Sequence, residues 1–151
     1  MRINHLLTDG MEIREIGAPV AAGASIDNNS DRIDMAGYES VVFIAPIEDS
    51  VDTGVATLTV EENDADSDTG MATATVAGDN VEATDTSAAN DDLNGGLLVV
   101  EYRHPAKRYV QAVRKSATAN IAYGTLIALL TPRTVPAVNG ATVLDKTAFS
   151  N

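Results

Sequence analysis

The chain has no cysteine and no tryptophan among its 151 residues. Without thiols, disulfides, Cys-based zinc sites, thiol catalysis and haem attachment through Cys are excluded. A domain of this length without such staples rests on its own core or on oligomerisation. Aromatic residues are also scarce: four Tyr and two Phe. The core must therefore be built from Val, Ile, Leu and Ala, a thin apolar supply that gains from burial against a partner. No run of about 18 apolar residues exists to cross a membrane as a helix. The opening MRINHLLTDGMEIRE lacks the continuous apolar stretch of a signal peptide, so a cytoplasmic product with no membrane partner is expected.

Positive charge is missing from one half of the chain. Between Ile33 and Tyr102 there is no Lys or Arg but there are 16 acidic residues, whereas Tyr102–Leu144 contains no acid. Arg103, Lys107, Arg108, Arg114 and Lys115 cluster early in that second stretch. The net charge of −12 argues against a nucleic-acid partner. The basic half suits an acidic neighbour, including the acidic half of another copy. Plain solubility of scattered strand charges fits equally well.

What is present is β-pattern. Ser40–Ile47 is a continuous run ending VVFIAPI, which reads as a buried strand with Pro46 at its end or at an edge. In GVATLTVE (54–61), Val55, Thr57, Thr59 and Glu61 alternate with Ala56, Leu58 and Val60, the pattern of a half-buried antiparallel strand. Gly96–Arg103, Arg108–Arg114 and Asn120–Leu130 are further strands. Short candidates lie at Ser25–Asp27 and Arg32–Met35, around an Asn28-Asn29-Ser30 turn, and at Met71–Val76 and Val81–Thr84. Residues 62–70 and 85–96 are polar, acidic loops. These features predict an all-β fold: an antiparallel β-sandwich or jelly-roll-like domain at 25–131, with an N-terminal arm at 1–24 and a C-terminal tail at 132–151. The arm holds Ile3, Leu6, Leu7, Met11, Ile13 and Ile16. A strap across a neighbour and a first strand of the same sheet both fit it.

Catalytic and metal readings are weak. Asp64, Asp66 and Asp68 alternate like calcium ligands, but the glycine, Gly70, comes one place late and the twelfth position is Thr75 rather than Glu. A solvated acidic loop is the better reading, with no metal and no cofactor. The two histidines are His5, in the arm, and His104, before a proline in a basic turn. Neither belongs to a nucleophile motif, and a non-enzymatic protein is expected. A carbohydrate-binding or adhesion β-sandwich is the alternative, though the missing Trp removes the usual sugar-stacking surface. The segment Tyr102–Val110 (YRHPAKRYV) places Arg and Tyr, good interface anchors, on either side of a tight turn. An ordinary hairpin with solvated charges accounts for it equally well. Ile13, Ile16, Arg103, Lys107 and Arg108 are the candidate interface residues.

The phrases DMAGYESVVF (34–43), TLTV (57–60) and YRHPAKRYVQAV (102–113), with the late apolar strand ending Thr131-Pro132-Arg133, carry a family resemblance. The stretch Asp34–Arg133 resembles the capsid decoration, or cement, proteins encoded beside the major capsid protein in tailed phages. The resemblance implies a structural virion protein made in the host cytoplasm. It would bind the major capsid protein on the outer capsid surface, commonly as a homo-trimer where capsomers meet. Another head or tail component of a phage is a second possibility of the same class. Contacts in such proteins vary, so no functional residue is carried over.

Overall fold

The computed structural model describes residues 7–134 and 143–145. A 3₁₀ turn at Leu7–Asp9 precedes β1 (Glu12–Gly17), β2 (Val20–Gly23), β3 (Asp27–Asn29), β4 (Ile33–Asp34), β5 (Tyr38–Ser50), β6 (Val55–Asn63) and β7 (Ala72–Thr73). There follow β8 (Thr75–Val76), β9 (Asp79–Asn80), β10 (Glu82–Thr86), β11 (Leu97–Arg103), β12 (Tyr109–Ala117), β13 (Ile121–Tyr123) and β14 (Leu126–Pro132). No α-helix occurs among the described residues.

The strands form two antiparallel sheets and the small β8–β9 hairpin. In the first sheet the long β5 is central. β11 lines one side of it, while β14 and then β13 line the other. β1 extends the sheet beyond β14, and β2 beyond β13. In the second sheet β6 and β12 are central, with β10 and β7 outside β6 and β3 and β4 outside β12.

Alternation explains the packing. Val41, Phe43, Ala45 and Ile47 of β5 point inward and are buried, as are Leu98, Val100 and Tyr102 of β11 and Leu126, Ala128 and Leu130 of β14. They meet Ala56, Leu58 and Val60 of β6 and Val110 and Ala112 of β12, which form one core with them. With Phe43, Tyr102 and Tyr123 as its buried aromatics, the core is mainly aliphatic, as the composition requires.

Several boundaries differ from expectation. The stretch expected as an arm, 1–24, contains β1 and β2, both paired within the first sheet. Ile16, a candidate interface residue, is 1% exposed and belongs to the core. Asn28 and Asn29, expected in a turn, lie in β3, where Asn28 Oδ1 accepts a 2.7 Å hydrogen bond from Arg114. Pro46 sits inside β5 rather than at its end. Ile47 N–H donates towards β11, to Gly96 O. The nitrogen of Pro46 therefore faces the opposite side, where β13 gives way to β14, so no ladder donor is lost there. The run expected as one strand over 120–130 is split at Gly124, where a Cβ would meet Glu48 Oε1 at 3.0 Å and Pro46 Cβ at 3.2 Å. Most of the tail, residues 135–142 and 146–151, lies outside the described residues, as do Ile3, His5 and Leu6.

Candidate interaction surface

The outer face of the first sheet is apolar. Period two places the side chains of Val42 and Ile44 opposite to those of Val41 and Phe43. Val42 is flanked by Leu129 of β14, which is flanked in turn by Ile13 of β1. Ile44 stands between Ile127 and Val99, and Pro46 beside Leu97. Val42, Ile44, Ile127 and Leu129 are half-buried, while Leu97 and Val99 are 59% and 50% exposed. In a continuous apolar run such as VVFIAPI, both faces of the strand ask for cover. The second sheet covers one face. Among the described residues no further layer covers the other.

The turn between β11 and β12 is folded around one hydroxyl. Tyr102 is 4% exposed, and its hydroxyl donates to Glu62 Oε2 at 3.0 Å while accepting from Ala106 N–H at 3.2 Å. Lys107 N–H also donates to Glu62 Oε2. Burial, and then the Glu62 carboxylate, push the Tyr102 pKa up. His104 takes φ of 50°, the left-handed region that ends β11.

Three of the candidate interface residues, Arg103, Lys107 and Arg108, come together in this turn, but each already holds an acid of its own chain. Arg103 pairs with Glu101 at 3.0 Å and Lys107 with Asp64 at 2.6 Å. Arg108 grips both oxygens of Asp34, at 2.9 and 2.7 Å, and lies 5.3 Å from the Tyr109 ring. That pair holds the Asp34 carboxyl at about 2. Ile13 stands apart from the turn on β1, at the far end of a row running through Leu129 and Val42 to Glu101.

Within this chain, the basic half is folded onto the acidic half. Arg32 reaches Asp66 at 2.6 Å and also pairs with Asp68, so two cationic side chains, Arg32 and Lys107, close the loop that imitates a calcium site. His104 Nε2 lies 3.7 Å from Glu39, on a strongly exposed side chain. Among the described residues no cluster of three or more His, Asp or Glu suited to a metal forms.

Val42, Ile44, Leu97, Val99, Ile127 and Leu129 were not among the residues singled out from sequence. The signal was present in GLLVVEYR, where Leu97 and Val99 fall on the face that Glu101 and Arg103 mark as outward. No family model, curated protein or solved structure matches the chain.

Proposed function

We propose that the protein is a capsid decoration protein of a tailed phage, which binds the outer surface of the shell through the outer face of its first sheet. The observation that carries this reading is the apolar row Val42–Leu129 and Ile44–Ile127, extended by Leu97 and Val99 on a chain of net charge −12. A contiguous exposed apolar patch on an otherwise acidic surface marks an interaction site. A flat sheet face suits a protein surface better than a small ligand, for which a concave site with convergent polar groups is needed. A clamp across capsomer seams resists the outward pressure of packaged DNA. Several copies joined together hold one another near their sites, which raises occupancy without any new contact. The likeness of residues 34–133 to decoration proteins supports the same reading, and a homo-trimer is the assembly it favours.

Co-sedimentation of the full chain with DNA-filled or expanded shells of the cognate phage tests this. The wild type is expected to pellet with shells, and Val42→Lys/Ile127→Lys to stay in the supernatant with an unchanged circular dichroism spectrum. Failure of the wild type to pellet, or equal pelleting of both proteins, overturns the proposal. A wild type that binds a glycan array and ignores shells selects an adhesion module instead.

A further inference from the structure

We infer that the free edge of β11 pairs antiparallel with the same edge of a second copy, about a two-fold axis at Val100, so that the first sheets of two copies join into one. The inference rests on the β11 edge, not on the virion reading.

Two backbone bonds fix which groups of β11 are free. Ile47 N–H donates to Gly96 O at one end of the β5–β11 ladder, and His104 N–H donates to Glu39 O at the other. The register runs without a bulge between them. Antiparallel ladders alternate, so Leu98, Val100 and Tyr102 bond to β5, while the N–H and C=O of Leu97, Val99, Glu101 and Arg103 point away from it. Among the described residues no strand pairs with that edge.

Edges of this kind are ordinarily blunted by Pro, Lys, a bulge or a covering loop. From Leu97 to Arg103 there is no Pro, no Lys and no bulge. A groove of about 500 Å³ runs beside the strand, lined on its other side by Val76, Asn80, Val81 and Glu82. Among the described residues the exposed large apolar side chains are Val51, Val76, Leu97, Val99 and Leu144. Val76, Leu97 and Val99 all border this edge, so unpaired backbone and uncovered apolar surface coincide here. That combination suits strand addition.

The occupant must be extended, carry aliphatic side chains at outward positions and set no like charge against Glu101 or Arg103. β11 itself meets all three demands. Pairing centred on Val100 sets Leu97 opposite Arg103 of the second copy and Val99 opposite Glu101, and each of these pairs exchanges both backbone bonds. The aliphatic stem of Arg103 then lies against Leu97. Other centres fit worse. An axis at Val99 brings Arg103 opposite Gly95, whose φ of 77° and N–H bond to Ile47 O take it out of the strand. An axis at Glu101 sets two carboxylates face to face. Glu101 is held by Arg103 of its own chain at 3.0 Å, so the edge brings no net charge against a copy of itself. All outward side chains stay on one face, and the apolar rows through Val42 and Ile44 of the two copies become continuous. The contact is isologous, the same patch on both copies. A three-fold assembly would use a different surface.

Sedimentation equilibrium of full-length chains at about 100 μM gives the first test. Val99→Pro removes an N–H at the free edge and spares the β5 ladder. The wild type is expected to have twice the mass of this variant, with the same β spectrum. Should Val99→Pro fail to fold, Val99→Lys takes its place. Equal masses overturn the inference, and a monomeric wild type leaves the edge to a strand of some other protein. The absence of cysteine makes the register directly readable. Opposite residues of a bonded pair have Cα atoms about 5.5 Å apart, within disulfide range, whereas diagonal neighbours at about 7–8 Å are beyond it. A mixture of Val99→Cys and Glu101→Cys chains is expected to oxidise to the mixed disulfide, and neither variant alone to cross-link. Homodisulfides in place of the mixed species, or no cross-link at all, overturn the pairing.

Discussion

A Cβ on Gly17 would stand 2.8 Å from Nη2 of Arg114. Arg114 is 1% exposed, on the inward face of β12, and it stitches three separate segments together. Nη1 donates to Gly124 O at 2.7 Å, and Nη2 donates to Ala18 O at 2.9 Å and Asn28 Oδ1 at 2.7 Å. Burial lowers its pKa, and these three acceptors are carbonyl and amide oxygens rather than carboxylates. Glycine at 17 is what lets the guanidinium lie flat against the β1–β2 turn.

Arg114→Met is therefore expected to leave three acceptors without a donor and to lower the unfolding free energy by about 3 kcal/mol. Gly17→Ala is expected to cost about 1–3 kcal/mol through overpacking. With the guanidinium gone, the added methyl has less to meet, so the double variant should lose less than the sum of the two. Urea unfolding of all four proteins reads this coupling, and strict additivity would refute the contact.

Tyr123 gives an alkaline signature. Its side chain is fully buried, its hydroxyl donates to Lys115 O at 2.5 Å and accepts from Thr57 N–H at 3.0 Å, and burial pushes its pKa up to about 12. The neutral form is favoured in the folded state. The stability it contributes is complete below pH about 10 and falls away as pH rises towards 12. Tyr123→Phe is expected to cost about 1–2 kcal/mol at pH 7. The gap from the wild type should then shrink between pH 10 and 12. A constant gap across that range would show that the hydroxyl does not titrate against folding.

The strands were legible where one face is apolar and the other polar, as in β6, whose alternation over Val55–Glu61 is the one observed. They were also legible in continuous runs, as in β5 and β11. The all-β, antiparallel character followed from these. Less visible were features set by partners distant in sequence. Asn28-Asn29 has turn chemistry, yet Arg114, 86 positions away, takes its side chain into a ladder. Ile16 read equally as part of a strap across a neighbour and as part of a first strand of the same sheet, because the β1 sequence has no clean alternation. Its burial follows from pairing with β14, more than a hundred residues later. The basic turn read equally as an interface and as an ordinary hairpin, because local sequence does not reveal that Asp34 and Asp64 come back to meet Arg108 and Lys107.

The Asp34–Arg108 pair predicts an acid signature. Hydrogen bonds from Arg108 and then Ala36 N–H hold the Asp34 carboxyl at about 2, below its ordinary value near 3.8. A depressed folded pKa contributes stability that is present above the unfolded value and lost as pH falls through the folded one. Asp34→Asn is thus expected to lower the thermal midpoint slightly at pH 7, since the pair is exposed and screened. That difference should close between pH about 4 and 2. A difference that persists at pH 2 would assign the effect to the Ala36 N–H contact rather than to charge.

In the acidic loop, charge and geometry separate cleanly. Asp66 and Asp68 are held by Arg32, and Asp64 by Lys107, so the carboxylates that would converge on a hard cation have ammonium and guanidinium partners already. A calcium ion would have to displace them and would find no bidentate Glu at the twelfth position of the loop. EDTA and millimolar calcium are therefore both expected to leave the thermal midpoint of the wild type unchanged. Arg32→Ala/Lys107→Ala removes the two cations and leaves three like charges on one short loop. That variant should melt below the wild type at low salt, recover in part as salt screens the repulsion, and gain stability from calcium by mass action. Differential scanning fluorimetry across a calcium titration distinguishes the cases. A wild-type midpoint that drops by several degrees in EDTA and returns with calcium would show that the loop binds an ion in spite of its internal cations. A double variant indifferent to calcium would show that the loop geometry, and not its neutralisation by Arg32 and Lys107, keeps the ion out.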